Sequence, residues 1–172
     1  MNEFHIALTG HRPNKLAGYD LSQPFYQKLH AKLVSIIDDA IKTHPDTTIW
    51  VHSGMALGAD TVWGFAAKTA MENHPGIVKF YAEIPVMSQP NKWFKQVDKD
   101  RWQTLYNMAE QKSVYAEVYS PIVMQERNTG MIDHADVLIA IWDGSRGGTG
   151  NAVNYARKHN VPTTYFDPKE FK

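Results

Sequence analysis

Three glycine-punctuated turns carry the residues most able to do chemistry in this chain. Each follows an apolar, strand-like run: Ile6-Ala7-Leu8-Thr9-Gly10-His11-Arg12-Pro13, Ile49-Trp50-Val51-His52-Ser53-Gly54-Met55-Ala56-Leu57-Gly58-Ala59-Asp60, and Val137 through Trp142 followed by Asp143-Gly144-Ser145-Arg146-Gly147-Gly148-Thr149-Gly150-Asn151. Buried parallel strands that end in glycine and open into helices line backbone N–H groups and helix N-termini along one sheet edge, where α/β proteins hold phosphates. In the first turn, Thr9, Gly10, His11 and Arg12 combine close backbone approach with a hydroxyl and a guanidinium whose fork matches phosphate oxygens. Arg12 is expected to clamp phosphate or ribose, with His11 lining the pocket; the plainer alternative is a surface ion pair and a helix cap. In the second turn, Gly54 and Gly58 shape the backbone while Ser53 and Asp60 offer a hydroxyl and a carboxylate, and Asp60 would serve equally as a partner of the helix dipole. The third turn is the strongest signal: its glycine cluster lets Gly147, Gly148 and Thr149 surround an anion at a helix start, beside Asp143 and Asn151.

These turns need strands and helices to hold them. Strands are expected over residues 5–9, 48–52, 78–84, 113–118, 136–142 and 163–166, alternating with segments of helical period. Phe25, Leu29, Leu33, Ile36, Ile37 and Ile41 mark an amphipathic helix over residues 23–42, with Pro24 in its first turn. Further helices are expected over residues 59–71 and 151–158. The segment 91–111 reads as a surface helix or lid, from which Trp93 and Trp102 could cover a base, whereas Trp50, Trp63 and Trp142 fall at core-facing positions. On a helix beginning near Pro121, Arg127, Met131 and His134 share a face; Arg127 could reach the same sheet edge or lie on a solvated face. The polar stretch 14–22 is longer than the usual βα connection of about two to six residues, which points to function or mobility. The pattern is that of an α/β, Rossmann-like three-layer sandwich with a mostly parallel sheet of about six strands in one domain spanning residues 1–172.

Composition narrows the partners. With 18 Lys plus Arg against 18 Asp plus Glu, no overall field favours nucleic acid or an anionic membrane. A small anionic ligand fits better. There is no cysteine, which excludes thiolate metal sites and a cysteine nucleophile. The eight histidines show no HExxH or similar spacing, so neither a metal site nor any cofactor is expected. Without a basic-apolar-small leader or an apolar stretch of roughly 18 residues, the expected location is cytoplasmic. The second turn is neither a Walker motif nor GxGxxG, and Ser53 lacks a GxSxG elbow.

Taken together, Thr9-Gly10-His11-Arg12-Pro13, Ser53 through Asp60 and Ala135 through Ala156 resemble the YpsA-like branch of the SLOG superfamily, a Rossmann-like group that also contains the DprA and LOG proteins. The resemblance spans almost the whole chain. It implies binding of a nucleotide or nucleotide-derived molecule around Gly10, Gly54 and Gly148, for sensing or sequestration, and a homodimer supported by apolar residues of the long helices. LOG-type phosphoribohydrolases carry a glutamate three residues after the glycine-threonine pair; here that position is Ala152, preceded by Asn151, and neither supplies a carboxylate. An N-glycosidase acting on a nucleoside monophosphate is therefore the alternative, needing Asp143, Asp60 or Glu83 as its acid. A DprA-like DNA-handling accessory is the third expectation.

Overall fold

The computed structural model describes residues 2–172. In chain order it comprises β1 (Asn2–Gly10), a 3-10 turn (Pro13–Lys15), α1 (Pro24–Thr43), β2 (Thr47–Ser53), α2 (Ala59–Asn73), β3 (Val78–Ile84), α3 (Gln96–Met108), β4 (Gln111–Val114), α4 (Pro121–Asp133), β5 (Val137–Ile141), α5 (Gly148–Lys158), β6 (Thr163–Phe166) and a final 3-10 turn (Pro168–Phe171). All five strand pairings are parallel, in the order β4-β3-β2-β1-β5-β6. The order reverses between β1 and β5, whose register pairs Gly10 with Ile141. Connections leave these neighbours in opposite directions, so a crevice opens at their carboxyl ends. This is the expected Rossmann-like α/β architecture.

Strand alternation divides the core in two. Ile6, Leu8, Ile49, Val51, Val78, Phe80, Ala82, Ile84, Ile139 and Ile141 join one large cluster with residues of α1, α2 and α3, including Leu29, Leu33, Trp63 and Leu105. On the opposite face, Ala7 and Leu138 pack with Met131 and Ile132 of α4 and Ala152 and Ala156 of α5 in a much smaller cluster. The amphipathic stripe of α1 buries Phe25, Leu29, Leu33 and Ile37, as its spacing predicts.

Several boundaries differ from the sequence reading. The fourth strand is Gln111–Val114, not 113–118, because its pairing with β3 begins at Tyr81–Gln111 and the chain must reach the Ser120 cap of α4, whose hydroxyl accepts from the Val123 N–H. The expected long helix 91–111 shortens to α3, and the chain before it forms turns. That helix is no free lid: Trp102 and Leu105 are buried in the main core, and the Trp102 indole donates to Gln89. Trp50 and Trp63 are buried as expected, whereas Trp142 is half-buried and its indole N–H donates to the Ser145 carbonyl, pinning the third turn. α5 starts at Gly148, three residues earlier than expected, which brings its N-terminus into the crevice.

Candidate functional site

The first turn emerges from β1 directly beside the end of β5. The His11 N–H donates to the Ile141 carbonyl at 3.1 Å, and the His11 ring Nε2 lies 2.9 Å from the Asp143 carboxylate. Hydrogen bonds from Ser145, aided by His11, hold the Asp143 carboxyl well below the usual carboxylate range. Asp143 is thus an ionised strut that ties the third turn to the first. The second turn joins the same frame: the Ala59 N–H donates to the His11 carbonyl, and Gly58 adopts φ +90° where a Cβ would lie 2.6 Å from that oxygen. Only glycine combines that backbone conformation with that approach.

Ser53 is fully buried and works inside the turn, donating to the Asp60 carbonyl at 3.0 Å and accepting from the Met55 N–H. The Asp60 side chain accepts from the Ala56 N–H at 3.2 Å. Burial pushes the Asp60 carboxyl up, against the pull of the Arg127 and Arg12 guanidiniums. Arg127 is 4% exposed, which settles the choice between solvated face and sheet edge in favour of the edge. Its Nε donates to Asn128 Oδ1 at 2.9 Å, and its Nη1 donates to the carbonyls of Gly54 and Glu83. Gly54 carries no Cβ because one would collide with the Arg127 guanidinium and lie 2.9 Å from Asp60 Oδ2.

In the third turn, Gly147 occupies the N-cap of α5 at φ +144° and offers no side chain to the helix. The first α5 amides thereby receive no side-chain cap from that position. A Cβ on Gly148 would meet nothing within 4 Å, so that position faces open space.

These elements enclose a cavity of about 480 Å³. Thr9, Gly10, His11, Arg12, Asp60, Arg127, Gly147, Gly148 and Thr149 all line it, as the sequence suggested. Ser53, Gly54, Gly58, Asp143 and Asn151 are outside the lining: the first three are buried in the second turn, whereas Asp143 and Asn151 are exposed, Asp143 paired with His11 and Asn151 donating its N–H to the Gly147 carbonyl. Sequence reasoning missed Asn14, Lys15, Tyr119, Met124, Asn128 and Arg146, which also line the wall. Lys15 lies in the long polar loop and Arg146 in the third turn, so a signal existed for both; Tyr119 carried none. Lys15 Nζ donates to Ser145 Oγ at 2.7 Å across the mouth. Among the described residues, the guanidiniums of Arg12 and Arg146 and the hydroxyls of Thr9 and Thr149 have no hydrogen-bond partner in the protein.

Two residues proposed for acid chemistry, Glu83 and Asp143, lie outside the cavity lining. Glu83 is fully buried outside the cavity, its carboxylate engaged by His52, His134 and Tyr115. Burial pushes its carboxyl up, but those hydrogen bonds hold it below the usual range. Ala152 is buried in the small core. Among the described residues, Asp60 is the one carboxylate on the cavity wall.

A family model described as the YspA SLOG family matches residues 6–171. The SPbeta prophage-derived protein YoqJ of Bacillus subtilis is 30% identical over 151 residues, which is 80% of this chain and 85% of YoqJ. Among solved structures, DNA processing protein A (DprA) from Streptococcus pneumoniae superposes with a TM-score of 0.64 at 14% identity, over 94% of this chain; the chain spans 50% of that protein. DprA from Helicobacter pylori, described for its single-stranded DNA binding mode, gives 0.58 at 16% identity, over 97% of this chain and 70% of its own. At such identities these two likenesses concern the fold.

Proposed function

The chain belongs to the YspA SLOG family, and from that premise we propose that it binds a nucleotide or nucleotide-derived small molecule by its phosphate in the cavity at the β1–β5 crevice. One observation carries the reading. The N-terminus of α5, the unengaged hydroxyls of Thr9 and Thr149 and the cations Arg12, Lys15, Arg127 and Arg146 converge on one cavity of about 480 Å³, a size typical of small-molecule sites. Amides and cations at this end would neutralise phosphate oxygens. Pro121, Tyr119, Met124 and Met131 line the cavity from the α4 side and would take the flatter, less polar base. The lone wall carboxylate, Asp60, already faces Arg127 and the Ala56 N–H, which favours binding without turnover.

The test is to incubate the protein with nucleoside monophosphates, dinucleotides, cyclic dinucleotides and ADP-ribose derivatives, ultrafilter, and analyse filtrate and denatured protein by mass spectrometry. An intact phosphate compound recovered from the protein is the expected result. Free base in the filtrate would overturn it in favour of N-glycosidic hydrolysis, with Asp60 as the first residue to substitute.

The DprA likenesses favour a second reading, in which the same cations hold the phosphodiester of single-stranded DNA. That reading requires a mobility shift that weakens steeply with salt. The formal balance of 18 cationic and 18 anionic side chains ranks it below the small ligand.

A further inference from the structure

Outside the cavity, three side chains from separate elements turn their ligand atoms toward one point. His52 of β2 and Glu83 of β3 lie on the same sheet face by strand alternation, and His134 caps the carboxyl end of α4. His52 Nδ1 is 2.9 Å and His134 Nδ1 3.3 Å from the same oxygen, Glu83 Oε2, and the three atoms lie within 4.8 Å of one another. Ligands about 2.0–2.1 Å from a tetrahedral metal stand about 3.3 Å apart. Small shifts would open this triangle around an ion. We propose that His52, Glu83 and His134 form a site for a divalent transition cation of the zinc class.

Three further observations support the assignment. Each buried ligand has a partner on its far side: His52 Nε2 lies 2.8 Å from His5 Nδ1, and Glu83 Oε1 accepts from the Tyr115 hydroxyl at 2.8 Å. Metal sites use such outer hydrogen bonds to fix imidazole tautomers and carboxylate orientation. Tyr81 stacks on the His52 ring at 4.6 Å and restricts its rotation. In addition, no Lys or Arg head group pairs with the fully buried Glu83 carboxylate among the described residues; the nearby Arg127 guanidinium donates to the Glu83 backbone carbonyl instead. A buried anion is costly unless a positive charge compensates it, and a cation held by two imidazoles and this carboxylate supplies one.

Two nitrogen donors and one oxygen suit Zn²⁺ or Co²⁺ and not Mg²⁺ or Ca²⁺. His134 is half-exposed, which gives the ion an entry path and leaves a fourth position for water. The ligands are 31 and 51 residues apart, so linear spacing, from which no metal site was expected, had no bearing on this cluster.

The experiment strips the full chain with a chelator and titrates Co²⁺, reading visible absorption and stoichiometry, then displaces it with Zn²⁺ and challenges with Mg²⁺. The expected result is one equivalent with the intense bands of tetrahedral Co²⁺, displaced by Zn²⁺ and not by Mg²⁺. His134→Ala, at an exposed position that should not disturb folding, should lower affinity more than about tenfold, and Tyr115→Phe by about 10–100-fold. His159→Ala, at the C-cap of α5, should change nothing. Absence of the tetrahedral bands, or bands that persist unchanged in His134→Ala, would overturn the proposal and leave the cluster as a hydrogen-bonded network.

Discussion

The two faces of the sheet are drawn from alternate residues of the same strands, yet they differ in kind. Toward α1, α2 and α3 the strands present Ile6, Leu8, Ile49, Val51, Phe80 and Ile84, all in the main core. Toward α4 and α5 they present His5, Thr9, His52, Tyr81 and Glu83, and the apolar cluster there has six buried members. Parallel sheets covered on both faces usually read as continuous apolar runs. Here β1, β2 and β3 alternate, which separates labour: one face supplies burial energy, and the other carries polar groups, the cavity and the histidine cluster.

The sharpest break of that comparison is on the apolar face. Phe80→Ala should cost about 3–5 kcal/mol by leaving a cavity in the main core, measured by denaturant unfolding, while any protein that remains folded keeps its ligand affinity. The opposite result is expected for Gly148→Val. The added side chain meets no protein atom near its Cβ, so stability should stay within about 0.5 kcal/mol, yet it would fill the position proposed for the phosphate, and binding of the recovered compound should fall at least about tenfold, read by calorimetric titration. Arg12→Ala removes an exposed guanidinium that makes no hydrogen bond among the described residues; a lost charge-assisted contact is worth about 1.5–3 kcal/mol, hence about 10–100-fold in Kd, with melting unchanged. The smallest effect should come from Trp50→Phe. The indole N–H of Trp50 is buried without a hydrogen-bond partner among the described residues, so removing it should alter stability by less than about 1 kcal/mol, whereas a comparable loss of ring on the other face would not be tolerated.

The three turns, the six strands and the all-but-complete helix set were legible because each rests on local signals: glycine at strand ends, a 3.6-residue stripe in α1, and the shared face of Arg127, Met131 and His134 on α4. Less was legible wherever register across the sheet decides. Pairing with β3, not propensity, sets where β4 begins. Trp102 looked like a lid residue because α3 is polar overall, yet packing draws it into the core. Glu83 looked like a free acid because nothing in the sequence places His52 and His134 beside it. For the same reason Tyr119 gave no hint that α4 would swing it over the cavity.

The central claim is that the polar end of the cavity holds phosphate. It is tested most directly by comparing the affinity of the compound recovered from the protein with that of its dephosphorylated counterpart, in the wild type and in Gly148→Val. Removing the phosphate should weaken wild-type binding by about 10–100-fold, the worth of charge-assisted hydrogen bonds, and Gly148→Val should abolish that difference. Equal affinity of the two compounds for the wild type, or an undiminished phosphate preference in Gly148→Val, would contradict the account.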